Sequence, residues 1–238
     1  MTQMTYLELV NRSRQLCGVT GSDLTTLSGI SGESLRFKNW VNQAWTDIQE
    51  KHTDWNWLRT SIGFTTTDGQ ATYSSTQVAT ATTSGGWGTG SLGHWKTDSF
   101  RTYITSTGYS SEVFLSEIPY NDWRDMYQFG SLRTVTTRPV TVAIAPDRSV
   151  CLGPSPDSTG YTVVGEFFLA PSLLSGDTDV PALPERFQMA IVYRTMLYYG
   201  WYESAGEVIQ GSQAEFNKIM NRLEEDQQPQ VMVGTSIV

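Results

Sequence analysis

The spacing of apolar residues changes twice along this chain of 238 residues, and that change constrains the fold most. Residues 1–60 and 181–228 carry apolar side chains three or four positions apart, the repeat of an amphipathic helix. Residues 61–180 instead alternate apolar and polar side chains, the repeat of a half-buried β-strand. Amphipathic helices must bury their apolar sides, so the helices of the two ends are expected to pack together. The predicted fold is therefore α+β: a helical bundle formed by the N- and C-terminal helices, with a β-rich insertion between them.

Two helices are predicted in the N-terminal region. Thr5 and Glu8 have the spacing of a capping box, and Gly18 is placed to end the first helix. The second helix is predicted from one apolar stripe with a 3.6-residue repeat, formed by Phe37, Val41, Ala44, Trp45, Ile48, His52 and Trp55.

Two further helices are predicted after Pro181 and Pro184. The first is apolar on nearly all sides between 187 and 199, which is typical of a helix buried all round. The second carries one apolar stripe, formed by Phe216, Ile219, Met220 and Leu223. Residues 229–238 are apolar but too short to form a core, so they are predicted to be a docking tail.

The β-rich insertion contains turn signals between its alternating segments. Asp68-Gly69 lies between two such segments and predicts a β-hairpin. Further strands are predicted at 100–106, 113–117, 140–145, 149–152 and 161–169. One short helix is predicted at 120–128, where the apolar spacing becomes helical.

Charge and cysteine content argue against several classes of function. Acidic residues outnumber basic ones by 24 to 16, which argues against a nucleic-acid-binding protein because phosphate affinity requires clustered Lys and Arg. Cys17 and Cys151 are far apart and form no CxxC, so neither a disulfide scaffold nor a zinc site is indicated. We expect both thiols to be reduced and buried, as in a cytosol-like compartment. The longest apolar stretch, 196–202, is far shorter than the ~20 residues of a membrane span, so no membrane association is predicted.

Motifs for cofactor binding lack their required context. Residues 88–93 read Gly-Thr-Gly-Ser-Leu-Gly, the letters of a dinucleotide fingerprint. That fingerprint needs a buried strand before it and a helix after it, and neither is indicated here. We interpret 84–93 as a Gly-rich loop and predict no cofactor.

Catalytic and metal-binding residues are also scarce. The chain has two histidines, His52 and His94, and His52 lies on an apolar stripe, which favours a core or boundary position. Asp177 and Asp179 lack the glycine and terminal Glu of an EF-hand, so they are interpreted as loop acids. The sequence therefore predicts neither an enzyme nor a metal site.

A second interpretation rests on the aromatic residues of the insertion. Trp87, Trp95, Tyr103 and Tyr109 could form a platform for sugar rings, as in a carbohydrate-binding β-module. A tail-associated glycan hydrolase would also need paired carboxylates, for which the candidates are Glu112, Glu117 and Glu166. Aromatic residues are equally typical of protein cores and protein interfaces.

The last predicted helix carries acidic residues at its C-terminal end. Glu224, Glu225 and Asp226 oppose the helix macrodipole there. A solvated helix face is the simplest interpretation, but the mismatch also indicates a positively charged neighbour.

Three segments resemble one known family. Residues 40–49 read WVNQAWTDIQ and are followed by Trp55-Asn56-Trp57, residues 180–187 read VPALPERF, and a charged helix covers 214–227. This order of segments resembles the head-to-tail adaptor, or connector, proteins of tailed bacteriophages, in particular those that are tail tubular protein A-like.

The resemblance implies a structural virion protein with no enzymatic activity. Such adaptors form a homo-oligomeric ring of twelve copies at the head-tail junction, assembled in the host cytoplasm. The ring attaches to the portal protein, extends the DNA channel and provides the platform for a tail or nozzle protein. DNA would pass through the lumen without sequence-specific binding, and a surplus of acidic residues is compatible with that role.

Contact residues follow from the resemblance together with the apolar and aromatic patterns. The residues predicted to contact the portal are Val231, Met232, Val233, Ile237 and Val238. The residues predicted to contact a ring neighbour or the tail are Trp87, Trp95 and Tyr109.

Overall fold

The structure is a computed structural model that describes residues 3–81 and 92–227. The chain divides into two compact units. One unit, here called the helical unit, contains the residues up to 58 and those from 171 onward. The other, the β unit, contains residues 59–170.

The two units consist of different secondary structure. Six α-helices occur within the described residues: α1 (Tyr6–Leu16), α2 (Gly32–Glu50), α3 (Ser75–Ala81), α4 (Tyr120–Trp123), α5 (Met189–Glu203) and α6 (Gly206–Gln227). Eight strands occur in the same residues: β1 (Arg59–Thr65), β2 (Thr72–Tyr73), β3 (Leu92–Ile104), β4 (Val113–Phe114), β5 (Ser116–Glu117), β6 (Thr141–Ile144), β7 (Val150–Gly153) and β8 (Tyr161–Leu169).

Helix α5 is the centre of the helical unit. It packs against α1, α2 and α6, so its apolar sides are covered by helices of the same chain. Ile191, Val192 and Leu197 are fully buried there. Only its last turn presents large aromatic side chains to solvent, Trp201 and Tyr202. The apolar character of α5 is therefore explained within the subunit and needs no neighbouring chain.

The capping box predicted for α1 is confirmed. The Glu8 amide donates to Thr5 Oγ1 at 3.3 Å, and the Thr5 amide donates to Glu8 Oε2 at 2.8 Å. Gly18 ends the helix with a φ of +72°, and the amide of Val19 reaches back to the carbonyl of Arg14. This left-handed turn satisfies carbonyl groups that the helix leaves open.

Helix α2 is shorter than its apolar stripe. It ends at Glu50, so His52 and Trp55 lie beyond the helix although their spacing continues the stripe. Trp55 is nevertheless buried, and its indole Nε1 donates to the Ile48 carbonyl at 3.1 Å. The side chain thus packs on the helix end without belonging to the helix.

Residues 171–180 belong to the helical unit, although the sequence boundary was predicted at 180/181. The Asn42 side chain bonds both the amide and the carbonyl of Leu174, at 2.9 Å each. Gln49 does the same for Ser172, at 3.0 Å each. The side-chain amides of two α2 residues therefore form the pair of backbone hydrogen bonds that a neighbouring β-strand would otherwise provide.

The β unit consists of two four-stranded sheets. The first has the order β1-β8-β3-β4 and the second β2-β7-β6-β5. Apolar side chains from both sheets form one core between them, including Phe64, Phe100, Leu152 and Phe167. The unit is therefore a β-sandwich in the sense of two sheets that share a core.

The β-hairpin predicted around Asp68-Gly69 is wrong, although the turn itself forms. Gly69 has a φ of +70°, and the Gln70 amide donates to the Thr67 carbonyl at 3.1 Å. Strand β1 before the turn pairs with β8, and β2 after it pairs with β7, so the two strands lie in different sheets. The turn carries the chain from one sheet to the other.

The strand predicted at 113–117 is also divided between the sheets. β4 pairs with β3 in the first sheet, and β5 pairs with β6 in the second. Leu115 lies between them and is buried in the shared core. Strand β3 starts at Leu92, eight residues before its predicted start at 100.

A short helical layer covers the outer face of the second sheet. Helix α4 continues as a π-helical turn, Arg124–Gln128, over the range predicted as one short helix. The Trp123 indole Nε1 donates to the Leu152 carbonyl at 3.0 Å, and the ring packs on Ala143 and Cys151. The first sheet, in contrast, has an outer face that forms a groove.

Candidate functional site

A concave groove of about 770 Å³ lies on the outer face of the first sheet of the β unit. Side chains that point away from the core line it on three neighbouring strands, for example Ser61, Val164 and Arg101. Their neighbours along the strands, such as Val163 and Phe167, point into the core. The alternation of a half-buried sheet thus creates the groove surface.

Three ion pairs lie in the groove, each joining an acidic and a basic residue that line it. Lys96 Nζ lies 2.6 Å from Asp98 Oδ1, and Arg101 lies 3.1 Å from Glu112 Oε2. The third pair joins Arg59 to Glu166 across strands β1 and β8. Because the charges are balanced, the lining offers both donors and acceptors without a dominant sign.

Aromatic side chains occupy the side of the groove next to β4. The rings of Tyr103 and Tyr109 lie 5.1 Å apart and are tilted by 56°. The Arg101 guanidinium lies 4.2 Å from the centre of the Phe114 ring. Tyr109 is 77% exposed and Phe114 62% exposed. Exposed Tyr, Phe and Arg in one place are typical of a protein interface.

An irregularity of β3 shapes the groove. Between Lys96 and Arg101 the register of β3 against β8 shifts, as in a β-bulge. Ser99 holds the irregular segment: its Oγ donates to the Lys96 carbonyl at 2.6 Å and accepts from the Glu166 amide at 2.8 Å. The side chain of Ser99 thus replaces ladder bonds that the bulge interrupts.

A second exposed surface lies on the opposite side of the β unit, beyond the helical layer on the second sheet. It consists of large apolar residues on the π-helical turn and the segment after it: Met126, Phe129, Leu132 and Val135. Phe129 is 68% exposed. The groove and this apolar surface therefore face away from each other across the sandwich.

The carboxylates considered for glycan hydrolysis are only partly brought together. Glu112 and Glu166 line the same groove, whereas Glu117 lies on β5 in the second sheet. Each of the two groove carboxylates is bound by an arginine. The tyrosines considered for sugar stacking lie there too, but their rings are tilted and not coplanar.

The predicted contact residues have different environments. Trp95 is 7% exposed and lies in the core, where its Nε1 donates to the Arg148 carbonyl at 2.8 Å. Its ring is therefore part of the sandwich core, and Tyr109 is the exposed member of the predicted ring or tail contact. Trp87 and the predicted portal contacts, Val231, Met232, Val233, Ile237 and Val238, lie outside the described residues.

The histidines take structural positions. His52 is half-buried. Its ring stands edge-on to that of Trp55, with the ring centres 4.8 Å apart, and its Nε2 lies 3.2 Å from Glu224 Oε1. This environment confirms a boundary histidine. His94 stacks on Phe168 at 4.7 Å in the other unit. Within residues 3–81 and 92–227, no group of three or more His, Cys, Asp or Glu residues could hold a metal ion.

Loop acids and glycines also have structural partners. Asp177 accepts from the Leu27 amide at 2.9 Å, and Asp179 from the Ser175 amide at 2.7 Å; hydrogen bonds lower the pKa of both carboxyls. Leu92 and Gly93, the two fingerprint residues within the described part of the chain, lie in β3 and not at the start of a helix. This contradicts the prediction of a loop for these two residues and also the geometry of a dinucleotide site.

The cysteines are both free thiols. Cys151 is buried as predicted, and burial raises its pKa. Cys17 is only half-buried, but burial and then the charge of Glu33 raise its pKa to about 12. Both thiols therefore stay protonated at neutral pH, which makes them poor nucleophiles.

The sequence pointed to part of the groove and missed the rest. Tyr103 and Tyr109 were candidates because of their aromatic character, but Phe114, Arg59 and Arg101 were not. Their role depends on partners brought close by strand pairing, such as Arg59 and Glu166, which are far apart in the chain. The signal that the sequence offered for these residues was a basic residue and an aromatic residue at alternate positions of one predicted strand.

Comparisons with known proteins point to one family. A family model described as SU10 adaptor protein matches residues 4–236, nearly the whole chain. No curated protein matches the chain significantly. In the described part of the chain, none of the helices combines the length and the apolar character that a membrane crossing requires.

Proposed function

The chain belongs to the SU10 adaptor family of bacteriophage structural proteins, and from this we propose that it attaches to the portal and carries the tail. The family match over 4–236 is the observation that carries the proposal, because it covers both units. The likeness to tail tubular protein A remains a prediction. An adaptor position places the protein at the head-tail junction of the virion.

We further propose a ring of twelve copies around a DNA channel. The helical unit contains fifteen acidic and nine basic residues, a net charge of −6, against −2 for the β unit. A channel that conducts DNA is best lined by a surface that repels phosphates. The charge distribution therefore favours the helical unit as the wall of the channel.

The β unit is suited to contacts with other chains. Its groove and its exposed apolar surface are two different surfaces, and a head-to-tail contact between identical units uses two different surfaces. Tyr109 and Phe114 would be central to such a contact, or to a contact with a tail protein.

Cryo-electron microscopy of the portal mixed with this protein tests the attachment. We expect the protein to be a monomer or weak oligomer alone and to form a ring at the narrow end of the portal. Absence of added density there would reject the proposal. Deletion of 230–238 should weaken attachment without unfolding the rest, and equal binding by the truncated chain would remove the docking-tail prediction.

A carbohydrate-binding role is the second candidate, and the groove is the observation that favours it. Balanced donors and acceptors beside two tyrosines could bind sugar hydroxyls and a ring face. Isothermal titration with oligosaccharides tests this role. Binding that Tyr109→Ala abolishes would support it, whereas no heat of binding across a panel of glycans would reject it.

A further inference from the structure

The C-terminal turn of α6 should be unstable by itself. Glu224, Glu225 and Asp226 lie within its last four residues, where the partial negative charge of the macrodipole repels them. The last turn contains no basic residue to compensate. A positive charge from outside α6 would therefore stabilise this turn.

Basic residues from two other segments provide that support. Lys51 Nζ lies 2.6 Å from Glu224 Oε1, and His52 Nε2 lies 3.2 Å from the same oxygen. Arg186, in the turn that precedes α5, pairs with Asp226. This confirms the positively charged neighbour indicated by the sequence.

The ion pairs lower the pKa of both carboxyls. A hydrogen bond from Lys51 holds the pKa of Glu224 below its ordinary value, and a hydrogen bond from Arg186 does the same for Asp226. Glu225, which lies between these two residues in the sequence, is exposed. Two of the three acids of the turn, Glu224 and Asp226, are therefore paired with basic side chains from other segments.

We propose that Lys51 and Arg186, together with the hydrogen bond between His52 and Glu224, form an ionic latch that fixes the last turn of α6. The last turn ends at Gln227, so the latch fixes the residue to which the rest of the chain is joined. Lys51 and His52 follow α2, and Arg186 precedes α5, so the latch ties the end of α6 to two places in the helical unit. The link to portal attachment rests on the proposed function, whereas the latch itself does not.

Amide hydrogen exchange at 224–227 in the full chain tests the latch. Removing an acidic side chain relieves repulsion by the macrodipole, which slows exchange, but removing one that belongs to the latch also breaks an ion pair, which speeds exchange. Glu225→Gln relieves repulsion by the macrodipole and should slow exchange. The double variant Glu224→Gln with Asp226→Asn also relieves it but opens the latch, and should speed exchange several-fold. Slower exchange in both variants would show that the macrodipole dominates and would overturn the proposal.

Variants on the basic side leave α6 unchanged and separate the latch from helix propensity. Lys51→Gln with Arg186→Gln should speed exchange at 224–227 while amides in the core of α5 keep their protection. The conservative pair Lys51→Arg with Arg186→Lys should restore slow exchange. Unchanged exchange in the glutamine pair would reject the latch.

Portal binding then tests the positioning role. If the latch directs the C-terminal segment, the glutamine pair should bind the portal several-fold more weakly than the conservative pair. Equal binding would limit the latch to local stability and reject the positioning role. If the unaltered chain does not bind the portal at all, the proposed function fails while the exchange result still decides the latch.

Discussion

Asp47 is a carboxylate of the helical unit that accepts several hydrogen bonds. Its Oδ2 accepts from Arg194 Nε at 2.8 Å and from the Tyr198 hydroxyl, and its Oδ1 accepts from Gln43 at 3.0 Å. Burial alone would raise its pKa, but these hydrogen bonds outweigh burial and hold the pKa below its ordinary value of 3.8. The charged carboxylate therefore links α2 to α5.

The lowered pKa predicts how Asp47 contributes to stability. A depressed carboxyl pKa stabilises the fold above the ordinary value, and this contribution is lost as pH falls through the lowered one. Asp47→Asn should reduce the free energy of unfolding by about 1–3 kcal/mol at pH 7. The difference from the unaltered chain should shrink towards pH 3. Urea denaturation at pH 7 and at pH 3 measures this difference in the free energy of unfolding, and the exposed Glu50→Gln is the control. An equal loss of stability at both pH values would contradict the charge argument.

The packing around Gly93 explains why a glycine of the dinucleotide fingerprint is present without a dinucleotide site. A Cβ built at Gly93 would lie 2.7 Å from the Phe168 carbonyl oxygen and 2.9 Å from that of Leu169. The glycine is thus required by the close approach of β3 to β8 at a shift of register, and not by a pyrophosphate.

Gly93→Ala should therefore destabilise the chain by about 1–3 kcal/mol, because the neighbouring backbone must move. Gly211→Ala is the matched control, since a Cβ there meets nothing within 4 Å in the middle of α6. That change should be neutral or stabilise by up to about 1 kcal/mol. Thermal unfolding measures both, and a tolerated Gly93→Ala would contradict the packing argument.

Local signals predicted elements well, but they did not predict which strands pair. The capping box of α1 and the turn at Gly69 depend on neighbouring residues, and both form. The partner of β1 is β8, which lies almost a hundred residues away, and no local pattern specifies that choice. The groove depends on such pairing, so only part of its lining could be nominated from the sequence: the tyrosines Tyr103 and Tyr109 and the carboxylates Glu112 and Glu166.

The capping box supplies the prediction at the scale of an element. Thr5→Ala removes the acceptor of the Glu8 amide and should lower the stability of the helical unit by about 1 kcal/mol. Thr5→Ser keeps the acceptor and should be close to neutral. Chemical denaturation followed by circular dichroism at a helical wavelength measures both variants. If Ser is as destabilising as Ala, the methyl group and not the cap is responsible.

At the scale of the whole molecule, the division into units explains how one adaptor chain can offer different surfaces. The helical unit holds most of the surplus acid, while the β unit holds the groove and the exposed apolar surface. Each unit has a core of its own, so a change in one surface need not disturb the other. Such a division suits a protein proposed to meet DNA, a portal and a tail.

The β unit should fold by itself, because its ends are joined within one sheet. Arg59 at its start pairs with Phe168 near its end, and β8 lies between β1 and β3. A fragment of residues 59–170 should therefore give a cooperative unfolding transition and a dispersed amide spectrum. A fragment of residues 59–160 lacks the central strand β8 and should remain unfolded. If the longer fragment is also unfolded, the β unit depends on the helical unit for stability, and its independent core would be insufficient.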